Sequence, residues 1–235
     1  DRQHLPPVGL IERLDQVAEI GGDAGVDVEV LGSRPYVECL SLRAMAYGWL
    51  GRFREGREFL ERVPALLRGV GARSDLSSPA ADRIWTCWPL GDADRARQVS
   101  SEALHMAERF GADRNVVYAL LACGVASCLA LRWEEADGFF ARAQQRISTT
   151  GAGNEWSNVI NGYQALCWAG MGDHERSLTL ALGSVQQARA DALDLLRIIH
   201  GTLRARVLRM IGGRQHQREL EAQAAETLDL IQRTD

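Results

Sequence analysis

The chain has 235 residues, 46% of them hydrophobic, with 27 basic and 31 acidic side chains for a net charge of −4. That length supports a substantial core or one elongated stack. The charges are interspersed, so no basic stripe points to nucleic acid, and no apolar run approaches the roughly 18–20 residues of a membrane helix.

Residues 8–20 carry Val8, Leu10, Ile11, Leu14, Val17 and Ile20 at helical spacing, and Gly21-Gly22 ends that helix. It reads as the second arm of a truncated hairpin, joined by a connector to residue 34. From Pro35 a pattern of two helices and a turn recurs over 35–71, 76–111, 113–151, 154–191 and 193–235. In the first copy Tyr36, Leu40, Ala44, Tyr47 and Leu50 mark one arm, and Phe53, Phe59, Leu60, Val63 and Leu67 the other. Pro64 lies inside that second arm and predicts a kink or break near Arg62-Val63, since proline in a helix interior costs about 3 kcal/mol. The second copy opens on Ser78-Pro79, a cap and first-turn proline, and Pro89 is expected to end its first arm.

The third copy is the clearest. Residues 115–130 are apolar nearly all round and need cover on more than one side. In the following arm Ala136, Phe139, Phe140, Ala143 and Ile147 share one helical face. Asn154 is the expected N-cap of the fourth copy, and the fifth turns at Gly212-Gly213.

Gly51, Gly91, Leu131, Gly172 and Gly212 occupy one equivalent turn, at steps of 40, 40, 41 and 40 residues. Five residues later stand Gly56, Ala96, Ala136, Ser177 and Gln217. Seven residues earlier stand Ala44, Ile84, Gly124, Ala165 and Ala205. Small side chains recur there because two helices cross closely. A lone hairpin buries too little to offset its chain entropy, so the copies must cover one another. The expected fold is an all-α superhelix of about five hairpins, with a last helix whose Leu228, Leu230 and Ile231 have no following copy to cover them.

The junctions Trp49-Leu-Gly51-Arg-Phe53-Arg-Glu-Gly56, Gly91-Asp-Ala-Asp-Arg-Ala96, Arg132-Trp133-Glu-Glu-Ala136 and Gly172-Asp-His-Glu-Arg-Ser177 resemble the arm-turn-arm pattern of tetratricopeptide repeats. The family period is about 34, so helices about a turn longer in total are implied. The fifth junction, Gly212-Gly-Arg-Gln-His-Gln217, departs from the pattern. Leu31-Gly-Ser-Arg-Pro35-Tyr36 with Ala46-Tyr-Gly-Trp-Leu-Gly-Arg-Phe53 is similar to the C-terminal repeats of bacterial proteins that join a class III adenylate or guanylate cyclase to a STAND-type ATPase. STAND transcription activators carry related repeats. The resemblance implies a regulatory interaction module with a protein or peptide partner, including the parent's own catalytic and ATPase domains. It equally implies a small-molecule or peptide sensor in a transcription regulator.

Motifs of chemistry are missing. The chain has no lysine, so a P-loop of the usual kind is excluded, and no Gly-x-Gly-x-x-Gly, His-Glu-x-x-His or Gly-x-Ser-x-Gly occurs. The all-arginine basic set reads as GC-rich coding bias. No catalytic residue, metal site or cofactor is expected; His105 and Glu108 form at most half a metal site. Cys39, Cys87, Cys123, Cys128 and Cys167 are odd in number, lack Cys-x-x-Cys spacing and lie in apolar patterns. They read as buried hydrophobes in a reducing, cytoplasmic compartment. No signal peptide is apparent, and a start at Asp1 suggests a piece of something longer.

Trp85 and Trp88, one helical turn apart, either pack between copies or form an aromatic platform on a groove lined by first arms. By register the same surface carries Glu38, Ser41, Met45, Tyr118, Leu121, Thr202, Arg206 and Arg209. This mix does not resemble the basic clamp some tetratricopeptide domains use on a peptide carboxylate. Exposed apolar ends would also permit association of two chains.

Overall fold

The structure, a computed structural model, describes residues 52–69, 81–191 and 194–234. The expected first helix, Glu38, Ser41, Met45 and Cys39, all within residues 1–51, and the Ser78-Pro79 cap lie outside the described residues. Nine α-helices and one 3-10 turn, and no strand, occur among the described residues. They are α1 (Phe53–Gly69), α2 (Ile84–Leu90), α3 (Ala93–Phe110), α4 (Asp113–Leu129), α5 (Trp133–Thr150), α6 (Ser157–Met171), α7 (His174–Ala190), α8 (Asp194–Ile211) and α9 (Arg214–Thr234). The chain divides into two compact units, Asp1–Ala126 and Ser127–Asp235.

The two helices of a hairpin are joined by one recurring turn. Gly91, Leu131, Gly172 and Gly212 all take the left-handed conformation, with φ of 68°, 58°, 88° and 71°. Three of these ends close identically. The amide of the following residue reaches back to a carbonyl five residues earlier: Asp92 to Cys87 at 3.1 Å, Arg132 to Ser127 at 2.9 Å and Asp173 to Trp168 at 2.9 Å. This is the 6→1 bond of a Schellman cap, which satisfies carbonyls that the helix end leaves open. Leu131 is the one non-glycine residue at positive φ among the described residues.

The small positions behave as their spacing predicts. Gly56, Ala96, Ala136 and Ser177 are buried, whereas Gln217 of the divergent fifth junction is exposed. Ser177 Oγ donates to the Ala165 carbonyl at 2.6 Å, tying the residue five after the turn to the residue seven before it. Twelve residues after the turn, Val63, Ala103, Ala143 and Ser184 are buried as well.

In the first unit α2 packs against α1 and α3. α1 runs through Pro64 without the break expected at Arg62-Val63. Leu60 and Val63 are 1% and 0% exposed. Burial of two such side chains is worth about 1.5–3 kcal/mol each, enough to offset the proline. α2 includes Pro89 and ends one residue later, at Leu90. Every residue from 116 to 128 of α4 is buried, which matches a segment apolar on all sides.

In the second unit α6 packs against α5, α7 and α8, and α8 packs against α6, α7 and α9. Each helix thus meets its near neighbours in the chain. Asn154 does not cap α6 directly. Gly153, at φ 76°, turns the chain into a 3-10 turn over Asn154–Trp156, and α6 starts at Ser157. The four cysteines among the described residues are buried free thiols. Cys128 and Cys167 approach to 3.4 Å between sulfurs, and burial pushes the Cys128 thiol well above its usual range.

Candidate functional site

In the first unit, Trp85 and Trp88 of α2 are both half-buried. The Trp85 indole N–H donates to the Tyr118 hydroxyl at 2.7 Å, and that hydroxyl donates to the Asp82 carboxylate. Tyr118 is 5% exposed and Asp82 3%. Burial, reinforced by the Asp82 charge, holds the Tyr118 hydroxyl well above pKa 10, so it stays a donor. Trp85 therefore presents its polar edge to the interior. Leu121, expected on the groove surface, is fully buried among the apolar residues of α4. A leucine with no exposed area packs the interior and offers nothing to a partner. Nearby, burial pushes the Cys87 thiol up to about 11, which leaves it protonated.

In the second unit, Thr202, Arg206 and Arg209 are exposed on one face of α8, at the 3–4 residue spacing of a helix. The Thr202 hydroxyl bonds back to the Ile198 carbonyl at 2.8 Å. The ten candidate residues thus fall into three sets. Three lie outside the described residues, four sit in the first unit with two of them buried, and three are exposed on α8.

A concave site of the second unit lies elsewhere, between the start of α6 and the length of α7. It encloses about 890 Å³. Asn158 and Asn161 of α6 face Thr179, Gly183 and Gln187 of α7 across it. Asn158 Nδ2 donates to the Ser184 carbonyl at 3.1 Å. Asn161 Oδ1 accepts from Gln144 Nε2 of α5 at 2.9 Å, and the same Nε2 donates to Gln164 Oε1 at 2.8 Å. Gln164 in turn donates to Asp137 at 2.8 Å. This polar chain between α5 and α6 holds Asn161 in place.

Carboxylates stand at both ends of the groove. Glu155 and Asp191 lie where α6 begins and α7 ends; Asp173 and Glu175 lie at the α6–α7 turn. Asp173 caps α7 by accepting the Arg176 backbone N–H at 3.3 Å. The Arg176 guanidinium stacks on the Trp168 ring, 3.4 Å from its centroid. In the sequence this end of the groove is the arm-turn-arm junction Gly172-Asp-His-Glu-Arg-Ser177, with no binding signal of its own. The asparagines gave none, because their role depends on groups contributed by α5 and α7.

Among the described residues no group of three His, Cys, Asp or Glu is placed to hold a metal, and no helix is long and apolar enough to cross a membrane. No protein-family model matches the sequence, and no curated protein matches it. The fold does match solved structures. Kinesin light chain nearly identical TPR-like repeats from Podosopora anserina superpose with a TM-score of 0.53 at 15% identity, over 82% of this chain and 95% of that one. A point variant of the same repeats gives a TM-score of 0.55 at 14% identity, over 86% of this chain and 98% of that one. The chain therefore has a TPR-like helical-repeat fold.

Proposed function

We propose that this chain is a non-catalytic protein-interaction and regulatory module of a bacterial multidomain signalling protein, one that pairs such repeats with a nucleotide cyclase and a STAND-type ATPase. The observation that carries the reading is the repeated hairpin itself: one left-handed turn recurs every 40 or 41 residues between paired helices. Stacked repeats of this kind recognise partners along their faces. The expected partner is a protein or peptide in the cytoplasm, the parent's own catalytic and ATPase domains included. Cross-linking mass spectrometry on the parent protein tests this. Cross-links from the repeats to another domain or to a bound protein are expected; cross-links confined to the repeats overturn the proposal.

The half-buried Trp85 and Trp88 favour a second reading, a small-molecule or peptide sensor in a STAND-type transcription regulator. A thermal-shift screen with nucleotides and metabolites, repeated on Trp88→Ala, distinguishes the two: a hit abolished by the substitution supports a sensor. Leu228 and Ile231 on α9 are 58% and 38% exposed, which suits association of two chains through that helix. Light scattering should then give a dimer mass that Leu228→Arg returns to the monomer.

A further inference from the structure

We propose that the α6–α7 groove binds an extended peptide segment of about seven residues with a basic side chain toward each end. The inference rests on the interaction reading above and names the partner chemistry.

The floor carries groups suited to a peptide backbone. Asn158 uses its Nδ2 on Ser184, and its Oδ1 has no partner among the described residues. Asn161 uses its Oδ1 on Gln144, and its Nδ2 has none. One acceptor and one donor, three residues apart on one helix, match the N–H and C=O of a peptide, which sheds those groups' water only if they are paired again. Across the groove Gly183 has no side chain, and nothing stands within 4 Å of where a Cβ would be. A main chain can approach there closely.

The length is set by α7. The 16 steps from Glu175 to Asp191 rise about 24 Å at 1.5 Å each. Extended chain covers the same distance in about seven residues at 3.3 Å each.

The charges select the ends. Four carboxylates line the groove against one guanidinium, Arg176, which keeps its charge while stacked on Trp168, so the lining is net negative. The resulting negative potential favours arginine or lysine side chains and opposes nucleic acid or an acidic peptide. The middle is uncharged, so a central acidic residue finds no cation and a central basic one no carboxylate. The groove also draws half its wall from the second arm, α7. It is therefore a different surface from the first-arm face to which Trp85 and Trp88 belong.

Fluorescence anisotropy of the purified chain with a labelled peptide, Arg-Ser-Thr-Ser-Thr-Ser-Arg, tests the proposal. Saturable binding is expected, with roughly tenfold weaker affinity when glutamate replaces both arginines or when the central amides are N-methylated. Affinity should fall as salt rises, because the carboxylates are exposed and screened. Glu175→Gln with Asp191→Asn, one at each end, should weaken the arginine peptide and leave the glutamate peptide unchanged or tighter. Asn158→Leu should weaken both. If that substitution lowers the melting temperature, Gly183→Leu, which fills open space at the wall, replaces it. Equal binding of the two peptides, or affinity unmoved by these variants, overturns the assignment. Cross-links to a partner without peptide binding would leave the interaction module standing and remove only the groove.

Discussion

His200 is a fully buried imidazole with no hydrogen-bond partner on either nitrogen among the described residues. It packs on Gly162 of α6, where an added Cβ would lie 3.0 Å from Nδ1. Burial lowers its pKa from 6.5 to about 4, opposed weakly by the Asp191 charge. The unfolded chain takes up a proton near pH 6.5 that the folded chain refuses until about pH 4. Stability contributed by this site is therefore complete above pH 6.5 and declines as pH falls toward 4, by on the order of 3 kcal/mol. Urea unfolding between pH 7 and 4 should show that loss, and His200→Leu should reduce it. Leu131 is the second residue with a distinct energetic signature. Its left-handed φ of 58° costs an L-side chain about 1 kcal/mol that glycine avoids. It is 69% exposed, so its side chain contributes little packing. Leu131→Gly should raise stability by about 1 kcal/mol in thermal melts; an unchanged or lower melting temperature would contradict this.

At the scale of the element, the turns differ in how they start the next helix. Asp92 and Asp173 accept the backbone N–H of Arg95 and Arg176 at 3.2 and 3.3 Å. Arg132 stands at the same register before α5 and makes no side-chain cap. An aspartate there would accept a backbone N–H and lie at the favourable end of the helix dipole. Arg132→Asp should therefore stabilise by about 0.5–1 kcal/mol, although it removes the exposed Arg132–Glu135 ion pair, which such surface pairs show to be worth little. Asp173→Ala should cost about 1 kcal/mol. Opposite signs for these two substitutions in chemical denaturation are the expected result. α1 shows the converse, a local rule overruled: Pro64 disfavours the helix interior, yet buried Leu60 and Val63 keep the helix continuous around it.

For the whole molecule, packing between chain neighbours sets the mode of unfolding. In the second unit α5 through α9 touch in succession, α6 and α8 being the helices covered from most sides. Such a stack behaves as a sum of local stabilities and nearest-neighbour couplings rather than as one cooperative block. Tryptophans report different copies: Trp85 and Trp88 on α2, Trp133 on α5, and Trp168 on α6. Urea curves followed by far-UV circular dichroism and by tryptophan fluorescence should not coincide. Superimposable curves with one midpoint would argue for a single cooperative unit.

Much of the architecture is local and so can be read along the chain. The turn that recurs every 40 or 41 residues needs a left-handed residue, and the small positions around it need close helix crossings. Both requirements act within one hairpin, which is why even Leu131 could be identified as standing in glycine's place. The sites are another matter. Trp85 and Trp88 stood out by type and spacing, but only the fold joined Trp85 to Tyr118, 33 residues away, and turned its N–H inward. Leu121 shared their register and is buried, because α4 is covered on every side. Asn158 and Asn161 looked like ordinary helix-surface polars until Ser184 and Gln144 each took one end of their amides. Among the described residues, sequence by itself thus determined the all-helical class and the recurring turn, since those depend on near neighbours. Tertiary structure alone decided which side chains are buried and which keep a free donor or acceptor, since those depend on helices tens of residues apart.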